Sequence, residues 1–173
     1  RLHYQKDYPN LFYSLSILKE KYNLMFKCLI VGEGDDYEKL KKIVFQLNLN
    51  NEIVFLGLRD DIPQLMKLCD LYILPSLFEG LPTVLIEALA ASCLIVSTDC
   101  GGAKEILGNI TDVVPTQTPN LLAEKIYSTL NLSNDKINIV KKLSFERANN
   151  LFSLEKMNLN WLKEYNSKFE GIE

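Results

Sequence analysis

The chain has 173 residues, enough for one domain with a substantial core, and its 47% hydrophobic and 24% charged residues are those of an ordinary globular protein. A formal net charge of −3 gives no electrostatic reason to expect nucleic acid, and no apolar run approaches the ~20 residues of a membrane span. The opening Arg1-Leu2-His3-Tyr4-Gln5-Lys6 is too polar for a signal peptide. Cys28, Cys69, Cys93 and Cys100, with one histidine and no C-x-x-C spacing, argue against zinc and for buried thiols in a reducing cytosol.

In chain order, residues 9–21 read as a helix, with Pro9 at the first turn, Leu11, Leu15 and Leu18 on one face and Phe12 beside them. Residues 26–31 are apolar but for Lys27, a strand that runs into Gly32-Glu33-Gly34. A helix over about 36–47 carries Leu40, Ile43, Val44 and Leu47 in a single stripe. Residues 53–56 form a strand ending at Gly57, and 60–68 a short helix opened by Asp60 or Asp61, with Ile62, Leu65 and Met66 facing inward. Strand 71–74 leads through a tight loop to a helix over 82–92, where Pro82 suits the first turn. Strand 94–97 ends in Thr98-Asp99-Cys100-Gly101-Gly102 and a brief helix to Leu107; 111–114 is a last, weaker strand closed by Pro115. From Asn120 the chain reads as helical over 120–131, 134–150 and 154–169, the last with Leu154, Met157, Trp161, Leu162 and Tyr165 on one stripe.

This alternation predicts a Rossmann-like parallel sheet with helices on both faces, in one domain over 1–173. Handed crossovers then bring 32–34, 57–59, 76–81 and 98–102 to one rim, where such folds bind ligands. No strand fits ahead of the first helix, so the chain is expected to begin inside a larger protein.

Glu79 and Glu87 are the focal residues. Residues 84–91 are apolar except for Glu87, and a carboxylate in such a helix is costly unless something polar satisfies it. A polyhydroxylated ligand would do so for both acids. The bland alternative is a salt bridge to a nearby Lys or Arg. Either acid neutralised by a base, or turned from the groove, would overturn the sugar-binding reading. The helix start at Gly80, Leu81, Thr83 and Val84 offers free N–H groups to an anion, although most helix starts bind nothing. Gly32-Glu33-Gly34 lacks the third glycine of a dinucleotide fingerprint and is equally well a turn needing positive φ. Gly101-Gly102 is a second anion-friendly turn or a plain loop. Arg1 and Lys6 can meet phosphate, yet two solvated charges are the commoner case. Glu105 alone reads as solvent-facing. His3 has no serine or cysteine partner at a useful spacing, and there is no D-x-D pair to hold a metal on a diphosphate; Asp35-Asp36 and Asp60-Asp61 look like helix caps.

Phe78-Glu79-Gly80 followed by Glu87-Ala88 resembles the E-x7-E motif of the retaining, nucleotide-sugar-dependent glycosyltransferases of family 4, which have the two-domain GT-B fold. Arg1-Leu2 with Gln5-Lys6, Ile30-Val31-Gly32-Glu33-Gly34, Phe55-Leu56-Gly57, the stretch 70–76, and Gly101-Gly102 with Glu105 fall in that family's order. The resemblance covers about 1–108, and the helices beyond it loosely. It implies that Arg1 and Lys6 grip the donor diphosphate and that main-chain groups of Gly80, Leu81 and 82–84 hold sugar and phosphates. Glu79 would receive hydroxyls of the transferred sugar and Glu87 those of the ribose. The base would lie against the loop near Gly57-Leu58-Arg59, and Gly32 is a further donor-binding candidate. No metal is implied and no protein nucleophile. Stabilisation of the leaving diphosphate would be the main catalytic effect.

The same resemblance implies that only the donor-binding half is present, without the acceptor-binding half, its histidine and glycine-rich loop, or the first strand of this half. Helix 154–169 resembles the one that crosses back to the missing half, and would expose Trp161. The expected activity is hexosyl transfer with retention from a nucleotide-diphosphate sugar, UDP-sugar ahead of GDP-sugar, to a saccharide or lipid-linked acceptor in cell-surface polysaccharide synthesis. The chain alone is expected to bind donor without catalysing transfer. The expected location is cytoplasmic, the whole protein being free or peripheral at the inner face of the membrane. Alternatives are a nucleotide-sugar 2-epimerase or a non-catalytic nucleotide-sugar-binding subunit; a phosphorylase lacks a convincing lysine for pyridoxal phosphate.

Overall fold

The computed structural model describes residues 1–169; the last four positions of the expected domain lie outside the described residues. Its helices are α1 Tyr8–Tyr22, α2 Tyr37–Gln46, α3 Ile62–Leu68, α4 Thr83–Ala90, α5 Ala103–Leu107, α6 Pro119–Leu130, α7 Asn134–Phe152 and α8 Leu154–Phe169. The strands are β1 Cys28–Val31, β2 Ile53–Gly57, β3 Tyr72–Leu74 and β4 Ile95–Ser97. The fold is Rossmann-like α/β with parallel strands, as the alternation predicts.

The stripe expected on the first helix forms the floor of the core. Leu11, Phe12, Leu15 and Leu18 are buried on α1, at roughly 1.5–3 kcal/mol for each such side chain. Asp7, in the left-handed region at φ 43°, starts this helix by accepting from the Asn10 N–H at 3.4 Å. Phe12 meets Phe55 of β2 edge-on, and Tyr22 stacks on Tyr127 at 4.2 Å, which locks α1 to α6. A second cluster lies under α4, where Leu85, Ala88 and Leu89 meet Leu74, Ile95, Ile106, Leu107 and Ala148.

Four features differ from expectation. The sheet is two parallel ladders, β1 with β2 and β3 with β4, with no ladder joining the pairs among the described residues. They share a core nonetheless, since Ile30 and Ile53 pack in one cluster with Val96. The strand expected at 111–114 shrinks to one bridge between Val114 and Thr98, in which Val114 N–H donates to Ser97 O at 3.0 Å and Asp99 N–H donates to Val114 O at 2.7 Å. A 3-10 turn, Tyr4–Lys6, precedes α1. Finally, α4 is not buried all round: Thr83, Glu87 and Ala90 form an exposed stripe at i, i+4, i+7. Asp36 and Asp61 do occupy N-cap positions, without side-chain cap bonds. On α8, Trp161 is 70% exposed, and Leu154, Met157, Leu162 and Tyr165 are exposed with it.

Candidate functional site at the strand-end rim

The loops after β1, β2, β3 and β4 are tied together through their main chains. Leu2 N–H donates to Glu33 O at 2.8 Å and Gly32 N–H to Gly57 O at 2.8 Å. Leu77 N–H reaches Gln5 O at 2.7 Å, Glu79 N–H reaches Cys100 O at 2.6 Å, and Gly102 N–H reaches Gly80 O at 3.2 Å. Two glycines make this possible. A Cβ on Gly34 would stand 2.1 Å from Leu2 O, and one on Gly101, whose φ is +100°, would stand 2.3 Å from Glu79 O. Gly32-Glu33-Gly34 is therefore a turn with positive φ at Gly32, holding close to the start of the chain. Gly80, by contrast, has nothing within 4 Å of its Cβ position and lies open at the rim.

On this frame Glu79 is not unpaired. Lys6 Nζ sits 2.6 Å from Glu79 Oε1, and the buried Ser76 hydroxyl donates to the same oxygen at 2.8 Å. The bland alternative, a salt bridge, is the arrangement at Glu79, and it overturns the argument that an un-neutralised acid there demands sugar hydroxyls. Lys6 and Glu79 are nonetheless brought together, and no protein donor reaches Glu79 Oε2 among the described residues. Thr98 secures Ser76 from behind, its hydroxyl donating to Ser76 O at 2.6 Å. Sequence reasoning missed the role of Ser76, although its place three residues before Glu79 is a signal for a local hydroxyl-to-carboxylate bond.

Glu87 corrects a second premise. It is exposed on the open stripe of α4, its carboxylate with no hydrogen bond or ion pair among the described residues, so no buried charge demands a partner. Its field still reaches inward: Tyr72, whose hydroxyl burial pushes well above the usual tyrosine range, is raised further by Tyr8, Glu87 and Glu79. At the start of α4, Thr83 N–H already bonds Leu81 O at 2.8 Å, while the Val84 N–H has no intrahelical acceptor. Leu81 and Thr83 are exposed there. Arg1 is exposed at the rim, its backbone N 3.1 Å from the Cβ position of Gly32. Arg59 is exposed but engaged, its guanidinium holding the Asp61 carboxylate at 2.6 and 2.8 Å. That pairing keeps Asp61 below the usual carboxylate range.

An aromatic edge borders the Lys6/Glu79 pair. Tyr4 lies 4.4 Å from the His3 ring and 6.1 Å from Phe78, both centroid to centroid. Beside it is a cavity of about 190 Å³ lined in part by His3, Asp7, Asp36 and Lys39. Among the described residues no three His, Cys, Asp or Glu side chains come together as a metal cage, and no helix is long and apolar enough to cross a membrane.

Parallel ladders flanked by helices, with glycine-bound loops at one rim, place the chain in the class of GT-B glycosyltransferases. It belongs to the family described as Glycosyl transferases group 1, whose pattern matches residues 1–143. It is 33% identical, over 80% of its length and 36% of the relative's, to N,N'-diacetylbacillosaminyl-diphospho-undecaprenol alpha-1,3-N-acetylgalactosaminyltransferase of Campylobacter jejuni. A glycosyltransferase from Rickettsia africae superposes with a TM-score of 0.88 at 27% identity, over 99% of this chain and 47% of that one. Anabaena Alr3699/HepE, solved with UDP and glucose, superposes with a TM-score of 0.84 at 25% identity, over 96% and 46%. The chain thus spans between about a third and a half of the length of these proteins.

Proposed function

We propose that this chain is the donor-binding half of a retaining glycosyltransferase, and that the whole protein moves a hexosyl group from a UDP-sugar to a saccharide or lipid-linked acceptor during cell-surface glycan synthesis. The observation that carries this is the meeting of Lys6, Ser76 and Glu79 on the open rim of a group 1 glycosyltransferase chain, with Glu87 standing free on the helix that follows. Glu79 is neutralised, but both of its donors use Oε1. Oε2 is left to accept a hydroxyl of the transferred sugar, and Lys6 and Ser76 hold it in place to do so. Lys6 has further N–H donors for the donor diphosphate, where Arg1 joins it. Main-chain groups of Gly80, Leu81 and Val84, with the Thr83 hydroxyl, complete the phosphate and sugar contacts. Glu87 accepts from the ribose, and the uracil lies against Gly57-Leu58-Arg59 and Gly32.

Charge that develops on the leaving diphosphate is stabilised by Arg1, Lys6 and the start of α4, with no metal required. The leaving diphosphate takes the proton of the attacking acceptor hydroxyl on the face where the sugar–phosphate bond breaks, which gives retention. The acceptor-binding half is supplied by polypeptide outside this chain, as the lengths of its relatives suggest. The Campylobacter relative's name carries a diphospho-undecaprenol acceptor, which supports a lipid-linked saccharide and a protein working at the inner membrane face. Calorimetry with UDP, GDP and ADP tests the reading. Heat with UDP above the other two is expected, and no heat with any of them from folded protein would sink it.

A further inference from the structure

At the opposite end of the strands from this rim lie two nucleophilic side chains that donor binding does not use. Cys69 ends α3 three residues before β3, and Cys93 stands two residues before β4; the pairing of Tyr72 with Ile95 brings them level. Their sulfurs are 4.0 Å apart, and both reach the same carbonyl, Met66 O, at 3.2 and 2.9 Å. Cys93 is only 3% exposed, whereas Cys69 is partly open to solvent. Neither is in a disulfide. We infer that Cys69 and Cys93 form a hydroperoxide-sensitive dithiol, with Cys69 as the attacking sulfur and Cys93 as the resolving one.

The chemistry closes on these two residues. The Cys69 thiolate attacks a peroxide oxygen, the O–O bond breaks, and the other oxygen leaves as water or alcohol once protonated. Cys93 sulfur then attacks the sulfenic sulfur, and the hydroxyl departs as water with the Cys93 proton. Two thiols and one hydroperoxide become one disulfide, one water and one water or alcohol, with two electrons passing from sulfur to oxygen. The sulfurs must close by about 2 Å to reach bonding distance, a side-chain rotation for two groups sharing one acceptor.

The surroundings favour Cys69 as the one that ionises. When it loses its proton, the Cys93 S–H can swing from Met66 O to donate to it. That hydrogen bond outweighs burial and brings the Cys69 thiol down to about 7, against the nearby Asp70, which raises it. The same bond, with burial, holds Cys93 protonated, while Lys141 of α7 opposes this weakly. Burial pushes Cys28 up to about 12 and raises Cys100, so neither competes at neutral pH.

The test is hydrogen peroxide added to the folded chain, with intact mass and peptide mapping. The expected product is lighter by two hydrogens, carries a cross-link between Cys69 and Cys93 within one molecule, and is restored by dithiothreitol. Its formation slows as pH falls below 7. Iodoacetamide should label Cys69 about tenfold faster than Cys28 or Cys100 at neutral pH. Cys93→Ser should stop at a sulfenic acid on Cys69 that dimedone traps, and Cys69→Ser should block the reaction. First oxidation at Cys28 or Cys100, cross-links only between molecules, or two thiols that stay reduced would overturn the inference. The wild-type map decides this even if a variant fails to fold.

Discussion

Lys6 and Ser76 both direct their protons to one oxygen of Glu79, and this lopsided arrangement sets what each substitution should do. Glu79→Ala leaves a partly buried ammonium without its counter-charge, at a cost of about 1 kcal/mol in stability, because the pair is only partly shielded from solvent. On ligand binding the two acids should separate. Removing Glu87 takes away a ribose contact, so Glu87→Ala should weaken UDP-sugar binding about tenfold or more, in line with a lost hydrogen bond to a charged group. Glu79→Ala should barely change the affinity for bare UDP, since its partner is the sugar. Titration of both variants with UDP and UDP-sugars checks this, and equal, negligible effects would remove the role given to both carboxylates. Gly101 is the other decisive residue. With φ at +100° and its Cβ position 2.3 Å from Glu79 O, Gly101→Ala strains its own backbone and pushes away the loop that carries Glu79. A loss of about 3 kcal/mol in urea unfolding is expected, together with weaker donor binding. Full stability in that variant would mean the two loops are not held as close as described.

At the scale of elements, the short α5 depends on a longer one. Arg147 of α7 donates from Nε to Ile106 O at 2.5 Å and from Nη2 to Glu105 O at 2.7 Å, satisfying carbonyls at the end of α5 that the helix itself cannot. Arg147→Ala should therefore cost about 2 kcal/mol in chemical denaturation, and Arg147→Lys should recover only part of it, since a lysine cannot fork to both acceptors. The periodic helices were legible in the sequence because their buried faces repeat: Leu11, Leu15 and Leu18 on α1, Leu40 and Val44 on α2. α4 was legible as a helix but not as a surface. Its run of Val, Ile and Ala hides which side meets the core, and Glu87 reads as a buried charge only until the open stripe of Thr83, Glu87 and Ala90 is seen. Of the strand at 111–114 only Val114 pairs, through its bridge to Thr98.

Across the whole molecule, chain order alone placed the glycine loops along one rim, because parallel crossovers leave them no other side. The ion pair at its centre was not legible: Lys6 and Glu79 are 73 residues apart, and no local spacing joins them. Nor does the alternation of strands say that the ladders stay separate as two pairs. The balance of stability with pH is likewise a property of the assembled chain, and two acids pull it in opposite directions. The Lys19 ammonium, 2.8 Å from Glu52, holds that carboxyl below its usual range, mainly through the hydrogen bond it donates. The folded pKa of Glu52 is thus below the unfolded value of about 4.3, so this stabilisation is in place above that pH and disappears as pH falls through the folded value. Burial instead pushes Asp7 up, against the Asn10 N–H that lowers it. Its contribution is present below the unfolded value of about 3.9 and is lost as pH rises through the folded one. Lys19→Met should accordingly lose about 0.5 kcal/mol more at pH 7 than in acid below the folded value of Glu52, where only the bond from Lys19 Nζ to Asn48 O is lost. Asp7→Asn keeps a residue suited to the left-handed N-cap position but removes the charge that burial disfavours. That variant should gain stability over the wild type at pH 7 and lose the gain at pH 3. Urea midpoints measured from pH 3 to 8 check both slopes, and an Asp7→Asn curve that falls relative to the wild type as pH rises would show that the Asp7 carboxylate helps the fold rather than opposing it.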